Sequence, residues 1–170
     1  MTNTARLAEV VQLRAARPID IEGIASLING YAAQGIMLSR TPDVIALALH
    51  DYVVAVDLHG RVMACGALRE YSPSVAEVSA VAVAPDAHGR GLGSRIVLAI
   101  EQLARVRGID EVFALTLTTG FFRAAGYTIV DRAIYPEKIR RDCRECARRF
   151  SCAEVCLQRL LDRGARAVAA

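Results

Sequence analysis

The residues with the clearest chemical meaning are three glycines, Gly89, Gly91 and Gly93, within the run from Val78 to Ile96. They follow a β-branched apolar stretch and a break at Pro85-Asp86. They open a segment in which Leu92, Ile96, Ala99, Ile100 and Leu103 recur at helical spacing. A glycine turn at a helix N-terminus presents amides that have no partner inside the helix, at the positive end of the helix dipole. That arrangement suits the pyrophosphate of a phosphorylated cofactor, and it serves equally as a plain tight turn leading into a helix. A P-loop requires Gly-Lys-Ser/Thr, but Gly93-Ser94-Arg95 offers no lysine. A dinucleotide fingerprint requires a third glycine where Ser94 stands. Neither nucleotide loop fits.

The elements that must position these residues follow from periodicity and punctuation. Val10 to Arg14 reads as a strand, and Arg17-Pro18-Ile19-Asp20 as a turn with Asp20 as N-cap of a helix whose inward stripe is Ile21, Ile24, Ala25, Ile28 and Tyr31. Gly35 ends that helix. Thr41-Pro42-Asp43 starts a second one, running to about Leu49. Residues 52–57 and 62–68 read as strands joined through Leu58 to Arg61, and a second hairpin through Tyr71 to Ser74 leads into a strand over 76–83. A helix over 91–107, a buried strand over 112–116, a short helix over 121–125 ended by Gly126 and a last strand over 127–130 complete the pattern. The order β-α-α-β-β-β-α-β-α-β with a helical tail implies an α/β (α+β) chain with a mixed, mostly antiparallel sheet flanked by helices.

At 170 residues the chain fits one domain, long enough to bury about two thirds of its unfolded surface. The composition is 54% hydrophobic, yet no apolar run approaches the roughly 18 residues of a membrane span, and MTNTARLAEV lacks the apolar centre of a secretory signal. The expectation is a soluble cytoplasmic protein with no membrane partner. Residues 132–163 carry nine Lys/Arg against five Asp/Glu, so the net charge of +3 arises in the tail and says little about the main domain. Residues 1–135 are read as the main domain and 136–170 as a Cys-rich basic helical tail.

The element order, with a glycine loop after the fourth strand, resembles the GNAT acyltransferase fold, and the x-x-x-G-x-G spacing from His88 to Gly93 resembles the acetyl-CoA loop of that superfamily. Within it, the chain is similar to the acetyltransferase domain of N-acetylglutamate synthases in the short form that lacks an amino-acid kinase domain. The similar segments are Leu13 to Pro18, the run Leu27 to Arg40 ending QGIMLSR, Cys65 to Leu68, Ala76 to Val78, Ala82 to Pro85, and Leu115-Thr116 followed by Phe121-Phe122 and Gly126-Tyr127.

The resemblance implies transfer of an acetyl group from acetyl-CoA, the co-substrate, to the α-amine of L-glutamate or L-glutamine, the first step of arginine biosynthesis. It gives the pantetheine amides to the backbone of Val81 and Val83, and the pyrophosphate to Gly89, Arg90, Gly91, Leu92, Gly93 and Ser94. The loop departs from the superfamily pattern at His88, where Gln or Arg is usual; His88 reads as a solvated loop residue. The attacking amine must lose a proton, and Glu77, by its family position, is the candidate base. An unperturbed Glu titrates near ~4.3, so this role needs burial or a water relay. The alternative is a strand-edge Glu facing solvent or paired with an arginine. Many relatives protonate the departing thiolate with a Tyr that aligns with Phe122 here, which leaves Tyr127, Tyr31 or water for that task.

Carboxylates of the acceptor need cationic partners. Arg40, matching the arginine after the family's GI-L run, is the first candidate and Lys138, the only lysine, the second. The kinase-fused enzymes carry an arginine where this chain has Leu117, so the second carboxylate has no firm partner. In the tail, Cys143, Cys146, Cys152 and Cys156 read as a metal site, for zinc or an iron-sulfur cluster, or as reduced cysteines on a short basic helix; no metal is assigned. Cys65 reads as a small core residue. Competing readings are acetyl transfer to another small amine or a protein amine, and an acetyl-CoA-sensing nucleic-acid module. Tyr135 and Phe150 alone interleave the basic tail, which counts against nucleic acid. A small-molecule partner is expected, with a homodimer left open.

Overall fold

The computed structural model describes residues 10–162. The expectations for the first nine residues and for residues 163–170 of the tail lie outside that range. The strands are β1 (Gln12–Ala15), β2 (Tyr52–Val56), β3 (Val62–Ser72), β4 (Val75–Val83), β5 (Glu111–Thr116), β6 (Thr128–Ile129) and β7 (Val155–Leu160). The helices are α1 (Ile21–Ala32), α2 (Pro42–Leu47), α3 (Leu92–Val106), α4 (Thr119–Ala124) and α5 (Pro136–Lys138). Hydrogen-bonded strands follow one another as β1-β2-β3-β4-β5-β7-β6, a seven-stranded mixed sheet. No helix among the described residues is long and apolar enough to cross a membrane. The chain divides into two compact units, one reaching to Ala67 with Ala80–Leu98 added, the other Leu68–Ser79 with the chain from Ala99 onward.

In the first unit, β1, β2 and β3 pair antiparallel, and the register of β2 on β3 shifts at Ala55/Val56. Ile24, Ala25 and Ile28 recur on one face of α1 and pack with Ile45, Tyr52, Val54, Val56, Val62 and Cys65 into one core. Gly23 lets the helix approach β3: a Cβ there would meet Val62 Cγ2 at 2.7 Å. Asp20 stands ahead of α1 as expected, but its side chain does not cap that helix. Its carboxylate accepts from Arg17 N–H (2.7 Å) and takes both guanidinium nitrogens of Arg14 at 2.6 and 2.9 Å, which braces the preceding turn instead. Thr41 does cap α2, its Oγ1 accepting from Val44 N–H.

In the second unit, β4 and β5 run parallel in register over Val75–Glu77 and Glu111–Phe113, and β7 pairs antiparallel with β5 along its whole length. Glu77 is therefore the last β4 residue in register with β5. β7 is the chief departure from expectation, since it lies in the tail read as helical and separates β5 from β6. Its sequence, VCLQRL, is a short apolar run without strict alternation, and such runs do not distinguish strand from helix. Buried Glu101 of α3 accepts hydrogen bonds from Tyr127 Oη (3.0 Å) and Arg159 Nη1 (3.1 Å), tying α3 to β7.

Candidate active site

The first unit holds the glycine loop and Arg40. β4 carries a local break before its last three residues: Ala80 has φ 54°, the one positive value at a non-glycine among the described residues. Beyond it, Ala82 and Ala84 are buried while Val81 and Val83 are half-buried, the alternation expected for a strand with one open face. The Val83 carbonyl accepts from Tyr31 Oη at 2.5 Å, with His88 Nε2 3.1 Å from that carbonyl and 2.7 Å from the hydroxyl. His88 is exposed but not merely solvated, since its ring also stacks on Tyr31.

A short 3-10 turn, Pro85–Ala87, leads into the loop, and Arg61 fixes it by a two-pronged contact to Asp86 at 2.7 and 2.9 Å. Gly89 and Gly91 have φ of 74° and 73°. A side chain would meet nothing there, so glycine is required by conformation alone. The first α3 bond runs from Arg95 N–H to Gly91 C=O (3.1 Å), so the amides of Leu92, Gly93 and Ser94 precede the helical ladder. Leu92 is buried and anchors the turn, whereas Gly89, Arg90, Gly91 and Ser94 are exposed. An anionic diphosphate is the ligand such a turn favours.

Arg40 is held by its backbone. Asn29 of α1 donates from Nδ2 to the Arg40 carbonyl and accepts the Arg40 N–H at Oδ1, both at 2.9 Å. The half-buried guanidinium lies beside the Tyr52 hydroxyl, whose pKa burial raises while the arginine opposes the shift. The same charge reaches the Cys65 thiol, which burial pushes up to about 12 and which donates to Ala80 C=O at 3.6 Å. Cys65 is thus a neutral core thiol, as expected.

The second unit holds Glu77 and Lys138. Glu77 is 5% exposed, and its Oε2 accepts from Lys138 Nζ (2.8 Å) and Tyr71 Oη (3.0 Å). Lys138 also reaches Asp142 at 3.2 Å, one turn later in the π-helical stretch Ile139–Cys143. Asp142 shares the single Tyr71 hydroxyl proton with Glu77 and, at 2.6 Å, accepts from Arg69 Nη2. Burial alone would lower the Lys138 pKa, but the charges of Glu77 and Asp142 raise it, so the ammonium persists. Burial likewise works against the Asp142 carboxylate, yet Tyr71, Lys138 and Arg69 hold its pKa below the ordinary value. Burial and the charge of Glu77 raise Glu154. The structure thus joins two residues that the sequence assigned to separate tasks. It adds Tyr71, read only as part of a turn, and Asp142, hidden in a basic run.

Of the tyrosines considered as acids, Tyr127 donates to Glu101 and Tyr31 to Val83. The five cysteines are free thiols. Cys152 Sγ accepts from Arg132 Nη1 at 3.4 Å, Cys146 Sγ accepts from Arg148 N–H at 3.4 Å, and Cys156 is buried on β7. Among the described residues, no group of three or more His, Cys, Asp or Glu is arranged to hold a metal ion.

The profile of the acetyltransferase (GNAT) family matches residues 30–127. The chain is 36% identical to an uncharacterized N-acetyltransferase of Chlorobaculum tepidum over 88% of its own length and 96% of that protein. It is also 36% identical to an amino-acid acetyltransferase of Mycobacterium tuberculosis over 70% and 69% of the two chains. Among solved structures it is similar to N-acetylglutamate synthase from Neisseria gonorrhoeae complexed with coenzyme A and N-acetyl-glutamate, with TM-score 0.82 and 29% identity over 91% of this chain. It spans 36% of that longer protein. A Mycobacterium tuberculosis protein in complex with CoA and NLQ matches with TM-score 0.77 and 29% identity, over 89% of this chain and 99% of that one.

Proposed function

The chain belongs to the acetyltransferase (GNAT) family, and from that premise we propose that it transfers the acetyl group of acetyl-CoA to the α-amine of L-glutamate by direct attack. The observation that most supports the acceptor is the likeness to the Neisseria gonorrhoeae synthase, whose complex holds coenzyme A and N-acetyl-glutamate. In this reading the turn from Gly89 to Ser94 receives the diphosphate of coenzyme A, and the backbone of Val81 and Val83 receives the pantetheine arm. Arg40, clamped by Asn29, takes one acceptor carboxylate through its guanidinium fork.

Glu77 accepts the proton that leaves the α-ammonium, directly or through water, and the freed amine attacks the thioester carbonyl. Addition forms the C–N bond in a tetrahedral intermediate, its collapse breaks the C–S bond, and the proton shed by the attacking nitrogen passes through water to the sulfur, so that coenzyme A departs as a thiol. Tyr71 and Lys138 hold the Glu77 carboxylate in place. Because Lys138 is shared by two carboxylates and Leu117 carries no charge, one acceptor carboxylate lacks a named cationic partner. That favours L-glutamine as a second acceptor. Steady-state release of coenzyme A with glutamate, glutamine, a polyamine and a peptide N-terminus tests the reading. It expects the highest kcat/KM with glutamate or glutamine, and turnover confined to the polyamine or peptide would overturn it.

A further inference from the structure

Tyr52 is 1% exposed, and its hydroxyl is one of two buried side-chain polar atoms among the described residues without a hydrogen bond of good geometry, the Arg40 guanidinium being a neighbouring but poorly aligned donor. Leaving a buried hydroxyl poorly satisfied is costly, so such an atom in a well-packed core calls for a ligand or a role. The ring itself is well placed as core, packed among Ile24, Ile28, Ile45 and Val54, where phenylalanine would serve equally. What sets this hydroxyl apart is its neighbour, the Arg40 guanidinium, whose backbone Asn29 locks at both its N–H and its carbonyl. The charge of Arg40 also reaches Cys65, whose thiol donates to the carbonyl of Ala80 at the break in β4.

A guanidinium can only donate, and a phenol can both donate and accept. A phenol is neutral at pH 7 and burial raises its pKa further, so the Tyr52 proton remains available. An acceptor carboxylate drawn to Arg40 offers lone pairs for that proton and gives the hydroxyl a well-formed hydrogen bond. We propose that the Tyr52 hydroxyl is a specificity-determining donor that completes, with Arg40, the binding site for one carboxylate of the acceptor. This rests on the assignment of Arg40 to acceptor binding.

Tyr52→Phe removes the hydroxyl and keeps the ring. The expected result is a rise of about tenfold in KM for the carboxylate-bearing acceptor, the loss of one hydrogen bond to a charged group, with kcat and the acetyl-CoA KM little changed. Discrimination between glutamate and whichever of its two mono-amides is disfavoured by the wild type should shrink by a similar factor. The melting temperature should change little, because the free protein loses only a poorly aligned contact to Arg40. An unchanged acceptor KM, or a melting temperature several degrees lower, would overturn the assignment of Tyr52. Wild-type protein that acetylates no carboxylate-bearing amine would defeat the acceptor reading as well, so the two failures are distinguishable.

Discussion

Lys138 Nζ lies 2.8 Å from Glu77 Oε2, joining the only lysine of the chain to a strand carboxylate 61 positions earlier. The pair is enclosed, with side chains 15% and 7% exposed, and Asp142 and Tyr71 share both ends of it. Removing one partner of such a pair leaves the other charge buried and uncompensated, at a cost of about 3–5 kcal/mol. Lys138→Met should lower unfolding stability by that amount in urea titrations, and Lys138→Arg should restore most of it. A loss under about 1 kcal/mol would mean that the pair is solvated.

Lys138, together with Asp20 and Asp142, sets a pH dependence. Lys138 has a folded-state pKa raised above the ordinary 10.5, so its contribution is complete below that value and is lost as pH rises through the higher folded value. Asp20 and Asp142 are both lowered from the ordinary 3.8, against the pull of burial. Their contributions are present above 3.8 and lost as pH falls through the folded values. Unfolding free energy should therefore decline on both flanks. Asp20→Asn should flatten the acid limb and Lys138→Met the alkaline one. An acid limb identical in Asp20→Asn would contradict the Arg14 pairing as its source.

Replacing Glu77 by Gln keeps the shape and removes the proton acceptor. Turnover should fall by about a hundredfold or more, with the dissociation constant of coenzyme A unchanged in calorimetry. Undiminished kcat would assign proton removal to another group.

Arg40→Ala should raise the acceptor KM by about ten- to a hundredfold and leave the acetyl-CoA KM alone, the signature of a lost charge-assisted contact. If both constants rise together, Arg40 supports the fold rather than the acceptor.

Gly91 and Gly30 make a matched test, since a Cβ meets nothing at either. At Gly91, φ is 73°, so alanine should cost about 1–2 kcal/mol and weaken coenzyme A binding. At Gly30, inside α1, alanine should stabilise by about 0.5–1 kcal/mol and leave binding as it was. Equal affinities in the two variants would remove the loop conformation from the binding account.

The order of elements through α4 and the loop from Gly89 to Ser94 were readable because each rests on local signals: alternation, helical spacing, and glycines where φ must be positive. β7 was not, because Val155 to Leu160 owes its strand state to the open edges of β5 and β6 rather than to its own pattern. Glu77 and Arg40 were nominated by resemblance alone. Nothing local indicated that Lys138 would close on Glu77 or that Tyr52 would lie beside Arg40, since the first contact spans 61 positions and the second depends on how α2 and the turn after it fold back. Asn29 stood inside the matching run Leu27 to Arg40, yet its clamp on the Arg40 backbone becomes visible only once α1 and the segment before α2 are in place.

The most direct test of acetyl transfer to the α-amine uses acetyl-CoA labelled with carbon-13 at the acetyl carbonyl and glutamate labelled with nitrogen-15, followed by nuclear magnetic resonance. The account predicts a carbonyl signal split by one-bond coupling to the α-nitrogen, growing as free coenzyme A accumulates. Label recovered only as acetate, or only on a different amine when several compete, would contradict it.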